Sequence, residues 1–134
     1  MKAQAAMEFT VLVIFTLIFI FAFYSSIFGS QLRAQDQQIQ GRLDIFCSDF
    51  AEKISNAYYY GKGFSQNITV YSNIYGAGFN VTVYNFSLAC ENTRYSSIKR
   101  IPTGNVTYNS AYPPFVVPQK TVQIENVGDR IVIS

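Results

Sequence analysis

The sequence predicts an α+β protein in which one long N-terminal α-helix packs on a small C-terminal antiparallel β-sheet domain. An uncharged, strongly apolar stretch runs from Phe9 to Leu32, and a helix-period apolar stripe follows it. After Gly61 the composition changes to β-branched and aromatic residues separated by turn residues, which is typical of antiparallel strands. Of the 134 residues, about 100 lie outside the apolar stretch, enough for one modest core.

The apolar stretch is long enough to cross a membrane. Roughly twenty helical residues span a hydrocarbon core of about 30 Å, and the run from Phe9 to Phe28 reaches that length. A cleavable secretory signal has a shorter apolar core and a small-residue cleavage site after it, and residues 25–30 match that pattern only weakly. No Cys lies near the N-terminus, so a lipid-anchored precursor is not expected. Lys2 favours an N-terminus on the inside and everything after Arg33 on the outside. We therefore predict a transmembrane helix over residues 4–32.

The helix is predicted to continue as an amphipathic segment over residues 33–60. Apolar residues recur there in steps of mostly three or four, which traces one stripe on a helix of 3.6 residues per turn. The stripe consists of Leu32, Ile39, Leu43, Phe46, Phe50, Ile54 and Tyr58. The opposite face carries Arg33, Asp36, Gln37, Gln40, Asp44, Asp49 and Glu52. No proline precedes Pro102, so only Gly29 and Gly41 are points where this helix would bend.

Residues 64–134 are predicted to form the β domain. In the run of residues 79–83, Phe79, Val81 and Val83 point to one face. The series Phe86, Leu88 and Cys90 has the opposite parity, so a bulge or turn is expected near Tyr84-Asn85 to bring it to the same face. Further strands are expected at residues 68–72, 95–101, 121–127 and 130–134. Gly128-Asp129 is predicted to join the last two as a hairpin, and the proline-rich segment 112–118 to be a rigid loop or an edge strand.

Two cysteines, Cys47 and Cys90, are the only ones in the chain. An even number of cysteines in a chain that is otherwise typical of an extracellular protein favours a disulfide. Such a bond would hold the exposed half of the helix on the sheet. Two unlinked buried thiols are the alternative interpretation.

Four N-glycosylation sequons lie beyond the membrane segment. They begin at Asn67, Asn80, Asn85 and Asn105, each with a residue other than proline in the middle. Since an acceptor sequon marks a surface site in an exported protein, these motifs agree with an extracellular β domain. The alternative is that Asn, Thr and Tyr are simply the polar residues of exposed strands.

The sequence lacks the motifs that commonly indicate catalysis. The chain has no His and no Cys pair at metal-ligand spacing, which removes the commonest general base and most zinc sites. No glycine-rich phosphate loop appears, and the acidic residues after Glu8 are scattered on faces where solvated charge is the ordinary interpretation. A net charge of +2, from ten basic and eight acidic residues, does not indicate a nucleic-acid partner. We expect no enzymatic activity, no cofactor and no metal.

Glu8 is the one carboxylate at the start of the apolar stretch. An ionised carboxylate is poorly solvated in hydrocarbon, so an acid near the end of a membrane-length helix is a functional candidate that needs a partner. We expect that partner to be another copy of the chain.

The segment Lys2-Ala3-Gln4-Ala5-Ala6-Met7-Glu8-Phe9 resembles the class III signal peptide of archaeal type IV pilin-like proteins. That pattern has a basic and a small residue before a cleavage, then Gln, then Glu five residues into the mature chain, then an aromatic residue and a long apolar helix. Ala6 departs from it, since the family often has Ser there. The resemblance covers about the first thirty residues. It implies that a prepilin peptidase removes residues 1–3 by cutting between Ala3 and Gln4.

The resemblance also implies an assembly mechanism and partners. The precursor is held in the cell membrane, and a pilus assembly ATPase and a membrane platform protein then lift subunits into an extracellular helical filament. Glu8 would be compensated by the new N-terminal amine of Gln4 on a neighbouring copy, since a lone charge in an apolar core is expensive, and Phe9 and the other aromatic residues would interlock between helices.

Three functions are compatible with these observations. The first is a structural pilin of an adhesion-type surface filament. The second is a non-polymerising membrane-anchored surface glycoprotein that binds a partner through a tyrosine-rich face, formed by Tyr58, Tyr59, Tyr60, Tyr71, Tyr75, Tyr84 and Tyr95. An archaellin-like subunit of a motility filament is the third, and it is less favoured because the helix lacks a glycine-rich segment.

Overall fold

A computed structural model describes the backbone of residues 2–134 and the side chains from Ala6 onward. The described residues form one helix, α1 (Lys2–Tyr60), followed by ten strands. The strands are β1 (Ser65–Thr69), β2 (Asn73–Ile74), β3 (Ala77–Gly78), β4 (Asn80–Tyr84), β5 (Ser87–Glu91), β6 (Ser96–Arg100), β7 (Val106–Tyr108), β8 (Phe115–Val117), β9 (Thr121–Asn126) and β10 (Ile131–Ile133). The predicted α+β class, with a long apolar N-terminal helix, is confirmed.

The chain divides into two compact units, Met1–Gln37 and Gln38–Ser134. The described part of the first unit consists of α1 residues only. The side chains from Ala6 to Gln35 differ in chemistry, but all of them are solvent-exposed. By length and composition, α1 is able to cross a membrane.

In the second unit, α1 buries one face against the β-sheets. The fully buried helix residues follow alternating steps of four and three, which keeps them on one side of the helix. They are Leu43, Cys47, Phe50, Ile54 and Ala57. The predicted stripe is therefore confirmed at its centre but wrong at its end: Tyr58 is 46% exposed, because the final step is three residues and places the small Ala57 inward instead.

The first sheet has the strand order β1-β9-β10-β7. The β1–β9 and β9–β10 pairs are antiparallel, and Ile131 lies opposite Asn126 at the closed end of the predicted Gly128-Asp129 hairpin. The β7–β10 pair is parallel, so this sheet is mixed rather than wholly antiparallel. A parallel pair needs a long connection, and the chain between β7 and β10 provides one because it contains β8 and β9.

The second sheet has the order β6-β5-β4-β8 and is antiparallel throughout. Between β4 and β5 the chain reverses in the two residues Asn85 and Phe86, with Tyr84 paired to Ser87. A turn was one of the two alternatives expected near Tyr84-Asn85, and it accounts for the change of parity. Leu88 and Cys90 point inward as predicted, whereas Phe86 is in the turn itself and is exposed, which corrects its expected inward position.

Several strand limits differ from the prediction. β1 begins at Ser65 and ends at Thr69, earlier than the expected 68–72, although the Val70 amide still donates to the Lys120 carbonyl at 3.0 Å. The predicted proline-rich edge is confirmed, since β8 pairs only with β4. Neither β7 nor the short hairpin of β2 and β3 was expected, because runs of two or three residues carry too little periodicity to predict a strand.

The inner faces of the two larger sheets and the buried face of α1 share one core. Phe50, Leu88, Ile124 and Ile133 are among its largest fully buried side chains. The helix ends at Tyr60, and Gly61 follows with a φ of 82°, a left-handed conformation that glycine adopts without steric cost. The core thus fixes where residues of helix and strands come together on the surface.

Candidate functional site

The apolar surface of α1 is the first candidate. In the Ala6–Gln37 part of the helix the large apolar side chains are exposed, among them Phe9, Phe15, Phe19, Phe21 and Phe23. An apolar surface of this extent marks contact with a membrane or with another protein.

The polar groups inside this segment are largely satisfied by the helix. The hydroxyls of Thr10 and Thr16 donate to carbonyls one turn earlier, those of Ala6 and Leu12, each at 2.8 Å. Ser25 donates to the Ala22 carbonyl at 2.9 Å. Because a hydroxyl that bonds to its own helix leaves no unpaired donor in an apolar environment, these residues do not oppose burial of the segment in lipid or protein.

Glu8 lies on this surface and is exposed. Among the side chains that the structure describes, none forms a hydrogen bond or an ion pair with its carboxylate. Phe9 next to it is 69% exposed. The predicted cleavage site falls at Ala3 and Gln4, whose side chains lie outside the described residues, so that processing stays a prediction.

A disulfide joins Cys47 of α1 to Cys90 of β5, as predicted, with a Cα–Cα distance of 5.8 Å. Both cysteines are completely buried. The bond therefore links the Gln38–Tyr60 part of the helix to the middle of the second sheet and belongs to the core, not to an exposed reactive site.

Asp44 forms a polar cluster beside this disulfide. Its Oδ1 accepts hydrogen bonds from the Lys99 ammonium at 2.8 Å and from the Ser97 hydroxyl at 2.7 Å. The hydrogen bond from Lys99, followed by that from Ser97, lowers the pKa of the Asp44 carboxyl below its ordinary value. The sequence placed Asp44 on a solvated face, and it gave no indication of these partners on β6.

The four sequons occupy different environments. Asn67 on β1, Asn80 on β4 and Asn85 in the β4–β5 turn are exposed. Asn105 is exposed as well, but its side-chain amide donates to the Asp129 carbonyl, and Thr107 of the same sequon is buried. The structure therefore makes Asn67, Asn80 and Asn85 the more accessible acceptors, and glycosylation at each of the four stays a prediction.

A cleft of about 590 Å³ lies between the helix and the segment that contains the β2–β3 hairpin. We call it the aromatic cleft; it is lined by Arg42, Ile45, Phe46, Asp49, Tyr71, Ile74 and Tyr75. Only Tyr71 and Tyr75 of the predicted tyrosine-rich face line it, whereas Tyr58 lines a separate cavity of about 290 Å³. Sequence reasoning missed this site because its two walls are about thirty residues apart in the chain and meet only in the fold.

No metal centre is found within the described residues, where no group of three or more His, Cys, Asp or Glu side chains is placed to hold an ion. Comparison of the chain with protein-family models, with curated proteins and with solved structures gives no match. Function is therefore inferred from the geometry of the chain and from its N-terminal motif.

Proposed function

We propose that the protein is a structural subunit of an archaeal type IV pilus-like surface filament that acts in adhesion. In this proposal a prepilin peptidase cuts between Ala3 and Gln4, and the mature chain stays anchored in the cell membrane by its apolar helix until assembly. The assembly ATPase and the membrane platform protein then transfer it into an extracellular filament, where its helix packs against other copies.

The observation that carries the proposal is the exposed apolar surface of α1 with Glu8 at its start. Such a surface needs a partner over its whole length, because each exposed Phe or Leu side chain gains about 1.5–3 kcal/mol on full burial. Lipid supplies that partner before assembly, and the helices of other copies supply it afterwards.

Glu8 gives this packing a register. Lipid does not satisfy an ionised carboxylate, and within the described residues Glu8 has no partner of its own. The amine created at Gln4 by cleavage is a cation of the kind required, and an ion pair in an apolar core is tolerated only when both partners are in place. The pair would therefore favour one alignment of neighbouring helices over slipped ones.

Mass spectrometry of the mature protein tests the processing step. We expect a chain that begins at Gln4 and keeps the whole apolar helix, and mass increments at sequons would identify glycans in the same spectrum. A mature chain that begins near Gln31 would instead make the protein an ordinary secreted one and would exclude the proposal.

Substitution of Glu8 tests the assembly step. We expect Glu8→Ala and Glu8→Gln to abolish filaments seen by electron microscopy while the protein still accumulates in the membrane, because the alignment of helices loses its ion pair. Glu52→Gln, an exposed acid on the same helix, is the matched control and should leave filaments intact.

Normal surface display of Glu8→Ala, together with the absence of filaments in the wild type, would favour the second candidate. That candidate is a non-polymerising membrane-anchored surface glycoprotein, and the exposure of Asn67, Asn80 and Asn85 is the observation in its favour.

A further inference from the structure

We propose that the aromatic cleft is a saccharide-binding site that takes one neutral pyranose ring. All seven lining residues lie within the unit Gln38–Ser134, so the inference is independent of whether the chain forms filaments. Its volume of about 590 Å³ is within the range of small-molecule sites.

The floor of the cleft is a fixed aromatic ring. Phe46 is held by ring contacts with Phe79 at 5.2 Å, Phe50 at 6.2 Å and Tyr71 at 6.5 Å between centroids. Because Phe50 and Phe79 are buried in the core, Phe46 is in place before a ligand arrives. A preorganised apolar floor reduces the entropy lost on binding, and it suits the C–H face of a sugar ring.

The opposite wall exposes two tyrosines. Tyr71 is 60% and Tyr75 64% exposed, although their rings are largely apolar. Tyr75 has a φ of 51° and is followed by Gly76 with a φ of 79°, a turn in which the first position ordinarily holds Asn, Asp or Gly. A bulky residue in this unfavourable conformation is not explained by burial in the core, and such outliers are found at binding sites.

The charged groups of the cleft are one donor, Arg42, and one acceptor, Asp49. Arg42 and Asp49 are seven residues apart on α1, which places them about 10 Å apart along the axis, on either side of Ile45 and Phe46. Within the described residues the Arg42 guanidinium makes no hydrogen bond or ion pair. The Asp49 carboxylate is 3.9 Å from the Lys53 ammonium and keeps free acceptor positions.

This combination selects the ligand class. Arg only donates hydrogen bonds and an ionised Asp only accepts them, whereas each hydroxyl of a sugar does both and can satisfy either. A purely apolar ligand would desolvate both charges without replacing their hydrogen bonds. An ion of either sign would be attracted by one of the two charges but repelled by the other. A neutral sugar meets the aromatic faces and both charged groups at once.

Titration of the full chain with simple sugars tests the proposal. The protein is produced in a host without N-glycosylation and kept in a detergent without a sugar headgroup, because alkyl glucosides and maltosides would compete. The probes are methyl α-D-glucopyranoside, methyl α-D-mannopyranoside, methyl β-D-galactopyranoside and N-acetyl-D-glucosamine. Binding is measured by NMR chemical-shift changes and by calorimetry. We expect saturable binding of at least one probe.

Two variants and one control assign the binding to the cleft. Tyr75→Asn removes the ring but suits the left-handed turn position, so the fold is retained. Arg42→Ala removes a charged donor. We expect each to weaken binding about tenfold or more. Arg42→Ala loses a hydrogen bond to a charged group, and Tyr75→Asn loses the apolar contact of the ring with the sugar. Tyr112→Asn, which removes an equally exposed tyrosine outside the cleft, should leave binding unchanged.

The proposal is overturned if none of the four sugars shows saturation at millimolar concentrations. It is also overturned if Tyr75→Asn and Arg42→Ala bind the sugar as the wild type does. Self-association of the chain that these two variants abolish, without any sugar binding, would show instead that the cleft is an interface between copies. Since each titration reads sugar binding to detergent-solubilised protein, failure here leaves the filament tests unaffected.

Discussion

Single polar residues of the second unit hold the helix to the strands. Asp44 accepts two hydrogen bonds from β6, one from Lys99 and one from Ser97. Asn126 of β9 links the last turns of the helix to the first sheet. Its side-chain amide donates to the Ala57 carbonyl at 2.8 Å, and its side-chain oxygen accepts from the Gly128 amide at 2.7 Å. The last turn of a helix leaves carbonyls without intrahelical partners, so Asn126 satisfies a group that burial would otherwise make costly.

The lowered pKa of Asp44 predicts a dependence of stability on pH. A carboxylate whose pKa is lower in the folded than in the unfolded chain stabilises the fold above its unfolded pKa, near 4. That contribution is lost as the pH falls through the folded pKa. We therefore expect the unfolding free energy of the wild type to fall more steeply below about pH 4 than that of Asp44→Asn. Denaturant titrations between neutral and strongly acidic pH measure both slopes.

Two lysine variants control that experiment. Lys99→Met removes the partner that contributes most to the shift, so its slope should resemble that of Asp44→Asn. Lys120→Met removes an exposed lysine in the turn before β9 and should keep the wild-type slope. Equal slopes for the wild type and Asp44→Asn would contradict the assignment.

At the level of the elements, the two faces of the helix between Gln38 and Tyr60 have different roles. One face enters the core through Leu43, Phe50 and Ile54, whereas Ile45 is turned away from it and lines the aromatic cleft. Periodicity alone predicts which face is inside, because the strands can cover only one side of a helix. It does not predict that an apolar residue on the other side contributes to a cleft.

A matched pair of isoleucines tests this assignment of faces. Ile54 is 0% and Ile45 64% exposed. We expect Ile54→Ala to lower the unfolding free energy by about 2–5 kcal/mol through lost burial and a cavity, and Ile45→Ala to change it by about 0.5 kcal/mol or less. Denaturant unfolding of both variants measures the difference. Similar losses for the two would mean that Ile45 is also packed inside.

The strands and turns show which features of the β domain short sequence patterns can predict. The alternation at Val81 and Val83 and the glycine-containing turn at Gly128 were read from neighbouring residues, and both are present. The two-residue turn at Asn85-Phe86 was expected only as one of two alternatives, because a bulge and a turn change the parity of a strand equally. Phe86 sits there with a φ of 61°, a conformation that its residue type does not suggest.

For the molecule as a whole, the disulfide joins parts of the chain that are 43 residues apart. We expect its removal in the Cys47→Ala, Cys90→Ala double variant to lower the unfolding free energy by roughly 4 kcal/mol in the chain-entropy model, within a range of about 2–5 kcal/mol. Denaturant unfolding with and without a reducing agent measures the effect. The reducing agent should not change the stability of the double variant, and a wild type that is equally stable when reduced would contradict the prediction.

The sequence by itself determined the long helix, its apolar N-terminal part, the buried stripe around Phe50 and the pairing of Cys47 with Cys90. These features follow from composition, from the 3.6-residue period and from an even count of cysteines, which are properties of neighbouring residues or of the whole chain. Glu8 and the motif around it also belong to the sequence, since a charge at the start of an apolar run needs no fold to be noticed.

Only the tertiary structure decided the parallel pairing of β7 with β10, the partners of Asp44 and Asn126, and the aromatic cleft. Each depends on residues that are distant in the chain and meet because one core must cover both sheets and one face of the helix. A side chain such as Tyr75 has the same local pattern whether it faces solvent or a ligand. Its place opposite Arg42 and Phe46 is set by packing. Packing depends on contacts between residues that are distant in the chain, so no short segment determines it.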